Sequence, residues 1–210
     1  MAQINAALNL VLPIRSGEDG TALLYAYHTP ISRDVFEANY RIISATKGEL
    51  FAGMGHSEKR RMAQSLSDAS RIATLTFKDE AKRDAIEHGF DFDNPESPPP
   101  GYAFLAELER LTLVLAPTAN GWEQIPVAVA IGRKLIDQDE WAEVLSSIVF
   151  FTCGLSMVPK NGRMDTATFL ALIVTGSITS LPRTEWTVSL PKSTTGTTSE
   201  AKAPTLLVPS

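Results

Sequence analysis

Residues 25–43, YAYHTPISRDVFEANYRII, contain the change from extended to helical chain that decides the fold. The aromatic and apolar residues up to His28 are typical of a β-strand, which a proline then ends. Ser32 has the position of a helix N-cap, and Ile31 and Phe36 flank it as a hydrophobic staple. The stretch therefore predicts a strand that ends at His28 and a helix that begins after Ser32.

The residues on either side extend this pattern. LNLVLPI (8–14) and TALLYAYH (21–28) surround the turn-rich RSGEDG and predict a β-hairpin. Pro13 cannot donate a ladder hydrogen bond, so it predicts an edge strand. The helix after Ser32 is expected to bury residues at three- and four-residue spacing: Val35, Phe36, Tyr40, Ile43 and Leu50.

The middle of the chain is charged and predicts one or two helices over residues 57–88. Their apolar stripe is expected to comprise Met62, Leu66, Ile72, Leu75, Phe77 and Ile86. GFDFDNPESPPPG (89–101) has four prolines and predicts an acidic loop.

The C-terminal half predicts further helices. One ends before Pro117, and residues 119–121 form a turn. A short helix follows with Pro126 in its first turn, and Asp137 and Glu140 form a capping box for the next one. Asp165 begins another helix, whereas the polar tail is expected to be disordered.

The predicted fold class is α+β, mainly α-helical, with an N-terminal β-hairpin, a helical domain and a disordered C-terminal tail. The expected parts are 1–88 (hairpin plus helices), 89–101 (proline-rich acidic loop), 102–190 (C-terminal helical portion) and 191–210 (tail).

Composition excludes several classes of protein. The net charge of −5 argues against a nucleic-acid partner, which requires clustered Lys and Arg. Uninterrupted runs of about 18 apolar residues are absent from the sequence, so no membrane association is expected. With a single cysteine and no signal-peptide pattern, a reducing cytoplasm is the expected location.

Candidate reactive groups do not form a catalytic pattern. His28, His56 and His88 lack the spacing of metal ligands and are expected to be solvated or loop histidines. Cys153 follows an apolar run and is expected to be a buried, inert thiol. Because nucleophile-elbow and dinucleotide-binding motifs are also absent, we expect no catalytic, cofactor or metal site and no enzyme activity.

The aromatic residues indicate partner contacts. Trp122 lies in the turn-rich NGWEQIP, and both Trp122 and Trp186 fit a core position and an interface position equally well. Together with Tyr102 and Phe104, they are the residues that we expect to face a partner.

Several blocks of the sequence resemble tail assembly chaperones of long-tailed bacteriophages and prophages. They are NLVLPI, YAYHTPISRDVFEANYRII, LERLTLVLAPTANGWEQIPVAVAI, LIDQDEWAEVLSSIVFFTC and GSITSLPRTEW. The likeness covers residues 8–190, interrupted around the proline loop. Proteins of this family are not enzymes.

The resemblance implies a protein that binds the tape measure protein, keeps it soluble and helps recruit tail tube subunits. It also implies a cytoplasmic location in the bacterial host, absence from the mature virion and a possible longer, frameshifted form of the chain as a further partner. Two alternatives remain open: a structural tail completion or connector protein of the virion, and a small enzyme with an unrecognised site.

Overall fold

The computed structural model describes residues 2–4, 8–17, 22–52, 59–90, 99–119, 121–173 and 176–178. In chain order the elements are β1 (Ala2–Ile4), β2 (Leu10–Ser16), β3 (Ala22–His28), α1 (Arg33–Phe51), α2 (Lys59–His88), α3 (Pro100–Arg110), β4 (Thr112–Thr118), β5 (Gly121–Pro126), α4 (Val127–Gly132), α5 (Gln138–Leu155), α6 (Arg163–Ile173) and β6 (Gly176–Ile178). The predicted α+β class, mainly helical, is confirmed. The predicted tail 191–210, Trp186 and His56 lie outside the described residues, as do residues 91–98 of the proline loop.

The strands form one sheet in the order β5-β4-β3-β2-β1-β6. Neighbouring strands are antiparallel except β1 and β6, which are parallel. The predicted hairpin is confirmed, since β2 pairs with β3 and Val11 lies opposite Tyr27. The prediction that Pro13 marks an edge strand is wrong, because β2 lies inside the sheet. The described residue pairs between β1 and β2 end at Val11, and Pro13 is paired only with Tyr25 of β3. The missing N–H of Pro13 is therefore tolerated on the side without a described strand.

A second hairpin replaces part of the helix that the sequence predicts before Pro117. The helix α3 ends at Arg110, and the chain continues as β4, which pairs with β5 around the predicted turn at residues 119–121. Gly121, with φ +130°, adopts at this turn a backbone conformation that side chains disfavour. The portion 102–190 is therefore not purely helical.

Pairing of β3 with β4 joins the N-terminal and C-terminal portions of the chain in one sheet. The helices lie against one face of this sheet, where Leu12, Ala26 and Val114 belong to the main core. Val11, Tyr27 and Leu115 form a separate buried cluster on the other face. Both portions thus contribute to the same packed layers.

The cap of α1 forms as predicted, and four of the five residues predicted for its buried face pack on the core. The Val35 amide donates to Ser32 Oγ at 3.3 Å. Tyr40, which the spacing placed in the core, is 54% exposed, whereas Asn39 and Ile42 are buried. The helix packs mainly through Ile42, Ile43 and Leu50, with Val35 and Phe36 partly buried against the same core.

The 30-residue helix α2 buries a different face from the predicted stripe. Leu66 and Phe77 are buried as expected, but Ile72, Leu75 and Ile86 are exposed. The residues that share the buried face are mainly small: Ala69, Ser70, Ala73, Ala81 and Ala85. Small side chains let α2 approach its neighbours closely, as a Cβ on Gly101 of α3 would lie only 2.3 Å from the Ala81 Cβ.

The capping box of α5 is confirmed in full. Asp137 Oδ1 accepts from the Glu140 amide at 2.8 Å, and Glu140 Oε2 accepts from the Asp137 amide at 2.9 Å. Trp141 is buried at the start of this helix. The described helices do not include one with the length and apolarity needed to cross a membrane.

Candidate functional site

A cavity of about 330 Å³ opens where the β3–α1 junction meets the C-terminal end of α5. Apolar side chains from four separate segments form most of its wall: Leu8, Ile31, Phe36, Phe151 and Leu155. The size lies near the lower end of ligand pockets, which span roughly 300–1,000 Å³. The cavity is therefore suited to one ring-sized apolar group.

His28, the last residue of β3, lines this cavity with only 3% of its surface exposed. The expectation of a solvated or loop histidine is wrong for His28, although its place at the strand end is confirmed. Its Nδ1 lies 2.9 Å from Thr112 Oγ1, and that hydroxyl donates its own hydrogen to the Leu108 carbonyl at 2.7 Å. Nδ1 must therefore carry the hydrogen and donate it to Thr112.

The opposite ring nitrogen, Nε2, is then an acceptor. It is buried and has no hydrogen-bond partner among the residues that the structure describes. Burial lowers the pKa of His28 to about 4, and a hydrogen bond with the Leu108 backbone opposes this shift only partly. At neutral pH the imidazole is thus uncharged, with a free lone pair on Nε2.

The remaining polar groups of the cavity are already engaged or lie at its rim. Ser156 Oγ donates to the Cys153 carbonyl at 2.6 Å, and Ser32 caps α1. Arg33 pairs with Glu37 at 2.6 Å, whereas Arg163 forms no ion pair with a described carboxylate and donates from Nε to the Val158 carbonyl at 3.1 Å. Because Arg163 is not balanced by a described carboxylate and the described lining includes none, a cationic ligand is disfavoured.

Two lining residues adopt a strained backbone. Leu8 has φ +63° and Met157 has φ +60°, and only Lys134 shares this conformation among the other described non-glycine residues. Met157 is also 59% exposed, so a flexible apolar side chain stands beside the opening. Strain of this kind, on the order of 1–3 kcal/mol per residue, tends to occur at binding sites.

The predicted partner-facing aromatics are dispersed. Tyr102 is 42% exposed at the start of α3. Trp122 is half-buried against the second cluster, with its ring 5.5 Å from that of Tyr25. Phe104 is 1% exposed and stacks on Phe77 at 4.9 Å, so it lies in the core and is not available to a partner. Trp122 and Phe104 contact different clusters, and the described aromatics do not form a shared surface.

An apolar face on α2 is a second candidate surface, and it consists of Ile72, Leu75 and Ile86. These side chains are 51%, 63% and 66% exposed. At about 3.6 residues per turn they share one side of the helix, opposite the buried alanines. The sequence predicts a core position for all three residues, and the structure exposes them.

Cys153 is fully buried, as predicted. Burial raises the pKa of its thiol to about 12, so it is protonated at neutral pH and unsuited to nucleophilic chemistry. Nearby, the Lys47 ammonium donates to the Gly154 and Ser156 carbonyls at 3.2 and 2.6 Å. Lys47 thereby satisfies carbonyls at the end of α5.

The described residues do not contain a cluster of three or more side chains suited to hold a metal ion. Comparison of the sequence with protein-family models and curated proteins, and of the structure with solved structures, found no match.

Proposed function

We propose that the protein is a tail assembly chaperone of a long-tailed bacteriophage or prophage. In this role it binds the tape measure protein, keeps it soluble and helps recruit tail tube subunits. It acts in the host cytoplasm, with a longer frameshifted form as a further partner, and does not remain in the mature virion. The blocks of sequence resemblance between residues 8 and 190 support the assignment.

The exposed apolar face of α2 is the observation in the fold that favours this role most. Ile72, Leu75 and Ile86 lie opposite the buried side of the helix, and acidic and basic residues such as Asp79 and Lys82 lie among them. Large exposed apolar side chains on one side of a helix, interspersed with charged residues, can receive an amphipathic helix of a partner. A chaperone for a long helical protein needs a surface of this kind.

The side chains near the cavity favour binding over catalysis. His28 is neutral and buried, the cavity residues that the structure describes include no carboxylate, and the Cys153 thiol is protonated. General acid–base work requires a group that exchanges protons near neutral pH. The proposed role is accordingly non-enzymatic.

Co-expression with a tape measure protein tests the proposal. The full chain should keep the tape measure protein soluble and co-purify with it. The double variant Ile72→Ser and Leu75→Ser should reduce the recovered complex by about tenfold or more, because buried anchors dominate interface energies. Val129→Ser, at a 42% exposed apolar residue on α4, is the matched control and should leave the complex intact.

Unchanged thermal unfolding of the double variant would show that the loss concerns binding. An insoluble tape measure protein, with no complex recovered from the full chain, would overturn the proposal. Detection of this chain by mass spectrometry in purified particles would instead identify a structural component of the virion.

A further inference from the structure

The unpartnered acceptor of His28 constrains what the cavity can bind. A buried polar atom without a hydrogen bond destabilises the folded chain, and a ligand that supplies a donor recovers part of this cost. Nδ1 is committed to Thr112, so Nε2 is the atom that His28 can offer. The ligand must therefore bring an N–H or O–H group.

The charges of the lining restrict that donor further. Glu37 balances the charge of Arg33, but Arg163 forms no ion pair with a described carboxylate and the described wall contains none, so an ammonium or guanidinium group would lack a counter-charge there. A neutral donor on an apolar ring satisfies both the wall and the histidine. Indole and phenol are the protein groups with this combination.

The opening of the cavity favours a side chain of another protein over a free small molecule. Met157 is 59% exposed at the rim, although it is large and apolar. Flexible methionines at a surface adapt to the varied contours of protein partners. A small ligand enclosed in the cavity would gain little from that exposed side chain.

We propose that this cavity binds one tryptophan or tyrosine side chain of a partner protein, whose N–H or O–H donates to Nε2 of His28. The assignment of the ring to the tape measure protein rests on the proposed function. The choice of a neutral aromatic donor does not, because it follows from the cavity alone.

A pair of ring probes tests the chemistry on the full-length chain without mutation. Indole carries the N–H donor, and 1-methylindole has the same ring without it. In titrations followed by NMR, indole should shift resonances of lining residues such as Phe36 and Leu155. It should bind about fivefold to tenfold more tightly than 1-methylindole, which corresponds to one net hydrogen bond.

Substitution identifies the acceptor. His28→Phe keeps an aromatic ring but removes Nε2, so the two probes should then bind equally. His88→Phe, at a histidine of α2 that contacts Arg41 and Asp84, is the matched control and should keep the preference for indole. Equal affinities of the unmodified chain for both probes, or shifts confined to residues outside the cavity, would overturn the inference even if His28→Phe does not fold.

Competition with the partner separates this inference from the proposed function. Excess indole and His28→Phe should both weaken the complex with the tape measure protein. If the complex forms but resists both, the ring does not come from that partner and the inference fails while the chaperone role stands. If indole binds through His28 but no complex forms, the chaperone proposal fails and only the ring chemistry of the cavity is supported.

Discussion

Protonation of His28 is expected to destabilise the folded protein in mild acid. Burial lowers the pKa of this imidazole from 6.5 to about 4 in the folded chain, whereas the unfolded chain keeps the ordinary value. Between these two values the unfolded state binds a proton that the folded state does not. The stabilising contribution of His28 is therefore complete above pH 6.5 and is lost progressively as the pH falls towards 4.

The size of the effect follows from the difference between the two pKa values, 6.5 − 4 = 2.5. At about 1.4 kcal/mol per unit the full effect is on the order of 3 kcal/mol. About 2 kcal/mol of this should be lost between pH 7.5 and pH 5, where the folded imidazole is still mostly neutral. Solvent screening reduces the value little, since the side chain is 3% exposed.

Urea unfolding of the unmodified chain and of His28→Phe, each at pH 7.5 and pH 5, measures the contribution directly. The difference in unfolding free energy between the two chains should shift by about 2 kcal/mol in favour of the variant at the lower pH. Carboxylates titrate in both chains and cancel in that difference. An unchanged difference, or an NMR titration of the His28 ring with a midpoint near 6.5, would refute the argument.

Helix contacts and caps yield three further predictions, all measurable as unfolding free energies in urea. Gly101→Ala places a Cβ 2.3 Å from that of Ala81 and should destabilise the fold by about 1–3 kcal/mol; equal stability would show that α3 can move away from α2 freely. Gly48→Ala adds a methyl group in open space within α1 and should stabilise the fold by up to about 1 kcal/mol, because alanine favours a helix more than glycine does. A loss of stability would contradict a helical conformation at residue 48. Asp137→Ala removes the acceptor for the Glu140 amide and should cost about 1 kcal/mol, with recovery in Asp137→Asn.

Local signals account for the parts of the fold that the sequence predicts well. The cap at Ser32 and the reciprocal pair Asp137 and Glu140 each involve residues three positions apart. The two strands of the first hairpin are likewise close to each other in the sequence. Such contacts depend on neighbouring residues, so a short stretch of sequence contains the information that determines them.

Strand β4 depends on contacts that are remote in sequence. The apolar residues of α3 and β4 follow one another with only Leu111 between the two elements, and their spacing alone predicts one helix. The structure ends α3 where the Leu111 carbonyl accepts from the Thr29 amide at 3.0 Å and β4 pairs with β3. Tertiary pairing therefore overrides the local pattern, which does not specify a strand partner some 85 residues away.

Periodicity was ambiguous in α2 for a different reason. The exposed side of the helix carries Ile72, Leu75 and Ile86, whereas the buried side carries mainly alanines beside Leu66 and Phe77, so large apolar residues occur on both sides. Close packing instead selected the side with Ala73 and Ala81, because small residues let neighbouring helices approach. Exposure of Ile72 and Leu75 is the consequence, and it leaves the apolar face on which the proposed partner contact depends.

The cavity is the least predictable feature, because the hydrogen on Nδ1 of His28 is set by Thr112, 84 residues away. The same imidazole has opposite effects on stability and on the proposed binding. Its unpartnered Nε2 and its depressed pKa both disfavour the folded state in mild acid, yet Nε2 is the acceptor that selects an aromatic donor. His28→Phe should therefore be more stable than the unmodified chain at pH 5 relative to pH 7.5, and should lose the preference for indole. A gain in relative stability at pH 5 together with a loss of the preference for indole would be expected of a histidine that serves binding. A purely structural histidine would change stability alone.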